Sequence, residues 1–258
     1  MSVQLIADYD LPEGHGYHPG LALDTVIFGF HQNQLKILLL TYYQSDLFAL
    51  PGGFIREGED LNQAARRVLF ERTGLTDIYL DQFYTFGDQM RHDTTPIRAI
   101  MTSKGIPITE QHWALKRFVT VGYYALVDFT KAVPNTDGLA DSCAWYDFDA
   151  MPPLMLDHQT IVAKALETLR ANLDHKLIGL NLLPETFTMA DLQQLYETIL
   201  SRPLNRSSFQ RTMLNSGMLT RIEKKFSGGA HKAPYLYRFA LTTEGSNETE
   251  DSGAEEAQ

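Results

Sequence analysis

The stretch that most constrains this chain is residues 50–75, LPGGFIREGEDLNQAARRVLFERTGL. Two adjacent glycines, Gly52 and Gly53, leave the backbone free to approach a ligand closely. Asp60 is placed to cap a helix, Leu61, Ala64, Ala65, Val68 and Leu69 recur on one helical face, and Gly74 fits the stop. The predicted unit is therefore a strand, a glycine loop and a helix over 60–72. Glu59, Arg67, Glu71 and Arg72 stand on that frame.

Gly53, Glu59, Arg67, Glu71, Gly74 and Leu75 fit the register of the Nudix signature, with Val68 and Arg72 where that signature has glutamates. The resemblance implies a helix face, read here as near the helix start, that carries metal-binding carboxylates in an active enzyme. Hard divalent cations take oxygen ligands and are bridged to substrate phosphates. Arg72 puts a permanent cation where the metal would sit. Two unit charges about 4 Å apart interact by about 4 kcal/mol at an effective dielectric of ~20, and a dication doubles that. No metal site and no catalytic residue are expected. Arg72 instead becomes a candidate to hold a phosphate bidentately. Glu59, Arg67 and Glu71 read either as an internal salt-bridge set or as the wall of a pocket that binds a nucleotide diphosphate without cleaving it. Arg56, Arg91 and Arg117 are further candidate phosphate partners, with solvated surface arginines as the alternative.

The chain has 258 residues, room for two modest domains or one large one. It has no apolar run of roughly 18 residues, so no membrane span is expected. Its first 20 residues do not read as a secretory signal. The single cysteine, Cys143, leaves no internal disulfide and no CxxC zinc pattern. These features point to the cytoplasm.

Strand patterns cover 21–40, with a turn at His31–Gln34, then 77–87, 117–129 and 143–152. Helical spacing follows over 157–174, where Ile161, Ala165, Leu166 and Leu169 share a face. Between these elements, residues 92–116 contain Pro96, Gly105 and Pro107 and no sustained period. They read as a long irregular connection, either functional or mobile. The expected division is an extension (1–20), a first domain (21–155, interrupted by 92–116), a linker helix (156–176), a second domain (177–241) and a disordered acidic tail (242–258).

The net charge of −10 argues against nucleic-acid binding until its distribution is examined. Residues 201–239 carry eight Lys or Arg and one acid, Glu223. Around them the pattern gives a helix over 188–200 capped by Thr188, a helix over 205–217 capped by Asn205, and two strands over 218–241 joined at Gly228–Gly229. This is a winged helix-turn-helix. Its second helix would enter a major groove with Asn205, Arg206, Ser207, Ser208, Gln210 and Arg211 near base edges and phosphates. The ribbon tip adds Lys224, Lys225, His231 and Lys232, while Phe209, Met213, Leu214 and Leu219 are the expected core. A basic surface that docks on the acidic first domain is the alternative.

The combination resembles the Nudix-related transcriptional regulators that control NAD metabolism in bacteria. The residues carrying that likeness include DTVIFGF (24–30), the 49–75 box, YLDQFYTFGD (79–88), RFVTVGYYAL (117–126), LDH (156–158), LLPETFTMADLQQLYETIL (182–200), NRSSFQR (205–211) and YLYRF (235–239), across about residues 20–240. The resemblance implies an α+β fold, in which an N-terminal Nudix-like α/β/α sandwich with a mixed sheet precedes a C-terminal winged helix-turn-helix. It implies a homodimeric repressor on a palindromic operator in double-stranded DNA. The effector would be ADP-ribose or a related NAD-derived nucleotide, acting through the 157–174 helix, with no cofactor required. A pentose-sensing regulator of sugar catabolism, and an active ADP-ribose pyrophosphatase using Glu57, Glu59 and Glu71, are the alternatives that this family carries.

Overall fold

A computed structural model describes residues 16–42, 46–136, 138–173, 182–224 and 233–240. Strand β1 (Tyr17–His31) organises the first domain, and its second half is buried almost continuously, as expected of a central strand. It folds back on β2 (Gln34–Tyr42) through Gln32 and Asn33, whose φ angles of 45° and 67° are what a two-residue hairpin turn of the primed type requires. Its first half pairs with β4 (Gly52–Arg56), and β6 (Val119–Asp128) runs parallel to it. The short β3 (Leu47–Ala49) and β7 (Ser142–Asp147) pair with β2, and β5 (Leu80–Phe86) lies antiparallel outside β6. The result is a seven-stranded mixed sheet.

Helix α1 (Leu61–Thr73) is closed at both ends by the predicted residues. Asp60 and Gln63 form a reciprocal capping box, and Gly74, at φ 70°, donates its N–H to the Phe70 carbonyl. Ala64, Ala65 and Val68 are buried against Leu23, Ile55, Val121 and Tyr123. Burying a valine or leucine of this kind stabilises by roughly 1.5–3 kcal/mol. Val68, Glu71 and Arg72 fall in the second half of the helix, not near its start.

The 92–116 segment differs from its sequence reading. Helix α2 (Thr95–Ser103) has Pro96 in its first turn, where a missing N–H costs nothing, and Gly105 leaves the helix region at φ 70°. Ile100, Met101 and Trp113 are buried with Leu40, Tyr42 and Ala49. The segment is a packed lobe on the sheet rather than an irregular connection.

Helix α3 (His158–Asn172) buries Ile161, Val162, Ala165 and Leu169, whereas Leu166 is only partly buried. A short strand, β8 (Phe187–Thr188), leads into α4 (Met189–Leu200), whose Thr188 and Asp191 form a second capping box. Helix α5 (Arg206–Asn215) is capped by Asn205, which accepts from the Ser208 N–H at 3.0 Å. Glu197 accepts from Gln193 and from the Leu204 N–H at 2.9 and 2.8 Å, fixing the turn between the two helices. Strands β9 (Leu219–Lys224) and β10 (Tyr235–Phe239) complete a sheet of order β8–β10–β9. Phe209 and Met213 are core residues and Leu219 is partly buried. Leu214, expected in the core, is 47% exposed, because it lies off the face that Phe209 and Met213 bury. The Gly228–Gly229 turn, Lys225, His231, Lys232, the end of the linker segment (174–176) and the 242–258 tail lie outside the described residues.

One apolar cluster joins the two parts. It runs from Phe28, Leu39 and Tyr124 through Ile161 and Leu169 to Leu192, Ile199 and Met213. Arg170 donates to the Ile199 carbonyl and Ser201 hydroxyl at 2.9 and 3.0 Å, and the Tyr196 hydroxyl donates to the Leu173 carbonyl at 2.7 Å. The C-terminal half of α3 is thus bonded to α4. No helix among the described residues is long and apolar enough to cross a membrane.

Candidate functional site

Two adjoining clefts lie beside the glycine loop and the start of α3. The smaller, of about 180 Å³, is enclosed by Asp24, Gly52 and Gly53 on one side and by Ile97, Ile100 and Lys116 of the α2 lobe on the other. The larger, of about 1020 Å³, opens between the end of β5 and α3 and is lined by Tyr84, Asp88, Thr160 and Lys164. Arg91, Asp93 and Leu156 line both. The glycines serve packing as well as access. A Cβ on Gly52 would meet the Asp24 Oδ1 and the Leu23 carbonyl at 2.7 Å, and one on Gly53 would meet the Val68 side chain at 3.0 Å.

The box residues form a closed ionic set. Arg67 donates from Nε and Nη2 to the two Glu59 oxygens at 2.6 and 2.9 Å, from Nη2 to the Phe54 carbonyl at 3.0 Å, and from Nη1 to Glu71 at 3.5 Å. The Arg56 N–H also donates to Glu59, at 3.2 Å. Donation from Arg67 holds the Glu59 carboxyl below its ordinary range against the opposing effect of burial, with the Arg56 N–H assisting. For Arg67 itself, burial works to lower the pKa, but Glu59 and Glu71 together outweigh it and raise it. With Val68 in the core and Glu59 engaged, this face is a brace between the glycine loop and α1. Among the described residues, no group of three or more His, Cys, Asp or Glu side chains is placed to hold a metal ion.

The predicted ligand arginines are scattered. Arg56 and Arg117 are exposed and line neither cleft. Arg72 is buried in the last turn of α1, with its carbonyl accepting from the Asn135 N–H at 3.0 Å, and lines neither cleft. Arg91 stands between the clefts. Its Nη1 donates to the Phe86 carbonyl at 3.2 Å, its Nη2 lies 3.5 Å from Asp24, and its Nε lies 2.9 Å from Asp157. Beside it, buried His158 accepts the Leu50 N–H on Nδ1 at 3.0 Å, which leaves Nε2 as the protonated nitrogen, 3.8 Å from Asp24. Asp24, Asp157, His158, Lys116 and Lys164 were missed by sequence reasoning. Asp157 and His158 belong to the LDH stretch that carries the family likeness, but their roles depend on chain segments far apart in sequence.

The second domain presents the opposite electrostatics. Asn205, Arg206, Ser207, Ser208, Gln210 and Arg211 are all exposed, on a helix anchored by buried Phe209 and Met213. On the wing, the Arg221 guanidinium stacks on Tyr235 at 3.2 Å from the ring centroid, and exposed Lys224 lies 5.5 Å from the same ring.

Comparison with known proteins agrees with this division. The NUDIX domain family matches residues 20–168, and the NrtR DNA-binding winged helix domain matches residues 179–239. An Acinetobacter baylyi protein named "ADPR responsive transcriptional repressor NtrR" is 31% identical over 230 residues, covering 86% of this chain and 83% of its own. The chain belongs to the NrtR family. The crystal structure of Shewanella oneidensis NrtR superposes with a TM-score of 0.63 at 27% identity, covering 86% of this chain and 94% of that one. The same protein solved with a 27mer DNA gives 0.63 and 27%, covering 85% and 93%. The likeness to NrtR thus extends through both domains and the helix between them, and the α+β architecture is the family's own.

Proposed function

We propose that this NrtR-type protein is an ADP-ribose-responsive transcriptional repressor of NAD-metabolism genes. It binds double-stranded DNA through α5 and the β9–β10 wing, as a homodimer on a palindromic operator, in the cytoplasm. The observation that carries this reading is the exposed polar and basic start of α5, on a winged helix bonded through α3 to a Nudix domain. The clefts around Arg91 take ADP-ribose, and the Glu59–Arg67–Glu71 brace, with Val68 and Arg72 in place of glutamates, leaves it uncleaved. No cofactor is needed for that role.

The test is a fluorescence-anisotropy titration on a site selected from random duplex DNA. ADP-ribose is expected to change operator affinity, and pentoses are not. Incubation with ADP-ribose and magnesium is expected to release no AMP. In sizing experiments the protein should migrate as twice the 29.2 kDa chain. A response to a pentose alone, or magnesium-dependent AMP release, would replace this reading.

A further inference from the structure

We infer that Asp157 competes with the ligand's phosphate for Arg91, and that its displacement is what the linker helix α3 registers. This rests on the ADP-ribose reading above and names the contact through which that ligand acts.

Arg91 is the cation shared by the two clefts, and its side chain is 8% exposed. All three of its nitrogens already face oxygen, from Phe86, Asp24 and Asp157. Each Nη keeps a second N–H and Nε carries one, so an anion need not displace Phe86 or Asp24, but at Nε it competes with Asp157. The Phe86 carbonyl is backbone at the end of β5, and Asp24 lies within central β1, so neither can withdraw without disturbing the sheet. Asp157 is different. It precedes α3, its side chain makes no capping hydrogen bond, and its buried Oδ1 has no hydrogen-bond partner among the described residues. Its 2.9 Å approach to Arg91 Nε falls outside hydrogen-bond geometry. A phosphate offers the same charge with oxygens free to align two donors.

The neighbouring backbone is set to respond. Leu156 sits at φ 52°, a left-handed conformation that is strained for a leucine and persists only while its surroundings impose it. Leu156 lines both clefts. Releasing Asp157 removes one constraint on that strained junction. The movement passes to a helix whose far end is bonded to α4 by Arg170 and Tyr196. Two states follow, with Asp157 on Arg91 or the ligand on Arg91, and they differ in the start of α3. A ligand that binds only one of them shifts the balance.

Asp157→Asn tests this, because asparagine removes the charge and keeps a good helix-capping residue. Asp147→Asn makes the same charge change at an exposed site that pairs with Lys36 and lines neither cleft. ADP-ribose affinity is measured by calorimetry and operator affinity by anisotropy. Asp157→Asn is expected to bind ADP-ribose about fivefold tighter or more, with ligand-free operator affinity shifted toward that of ADP-ribose-bound wild type and a correspondingly smaller response. Asp147→Asn should match wild type in both. Wild-type affinity with an undiminished response in Asp157→Asn, or the same shift in Asp147→Asn, overturns the inference. A wild type whose DNA binding ignores ADP-ribose overturns the functional reading first, and this with it. Should Asp157→Asn not fold, Asp157→Ser gives the same contrast.

Discussion

Helices α1 and α5 start alike. Each opens on a capping Asp or Asn, buries an apolar face and carries arginine off that face. In α1, Arg67 is fastened to Glu59, Glu71 and the Phe54 carbonyl, so its charge is matched within the domain. In α5, Arg206 and Arg211 stand exposed beside Ser207, Ser208 and Gln210. The same residue types therefore make a brace in one place and, as proposed, a reading surface in the other. What decides between these is the company of acids: the 201–239 block holds one, Glu223, against eight bases. That block does not supply anions for its own helix, and in the proposed complex the DNA phosphates do.

The largest effect that sharpens this contrast belongs to the brace. Arg67→Ala removes the partner that Glu59 and Glu71 share, and should lower stability by about 2–3 kcal/mol in a denaturant titration. The reading surface should behave the other way. Arg206→Ala and Arg211→Ala should each lose ~1–3 kcal/mol of operator binding if they contact bases. Their folding stability should stay within about 0.5 kcal/mol of wild type, since neither side chain is packed. Lys224→Ala should weaken all DNA sequences alike and reduce the salt slope by about one. The smallest effect is acidic. Because the folded Glu59 carboxyl titrates below its ordinary 4.5, its contribution is present above that pH and is lost as pH falls through the folded value. Wild type should therefore lose stability relative to Glu59→Gln below about pH 4.5 in an acid titration. Brace and surface would cease to be distinct if Arg206→Ala cost as much stability as Arg67→Ala.

Most of the fold was legible where local chemistry sets it. Asp60, Thr188 and Asn205 each cap the helix assigned to them, and Gly74 ends α1. The 92–116 segment was not legible, because Pro96 reads as a breaker unless its place in the first turn of a helix is known. Strand β8 was invisible for another reason: two residues carry no period, and only pairing with β10 makes them a strand. The clefts were the least legible part. Asp24, Arg91 and Asp157 meet only because β1, the end of β5 and the start of α3 converge. Arg56, Arg72 and Arg117 have the same side chain as Arg91 and lie elsewhere.

In the proposed switch, a Nudix pocket that keeps its ligand intact controls a DNA-reading helix about 130 residues downstream of the box. Operator affinity across an ADP-ribose titration, with the nucleotide recovered and weighed for cleavage at the end, tests it most directly. A change in affinity of about fivefold or more is expected, with ADP-ribose recovered whole. A flat titration, or a response that disappears as the ligand is hydrolysed, would contradict it.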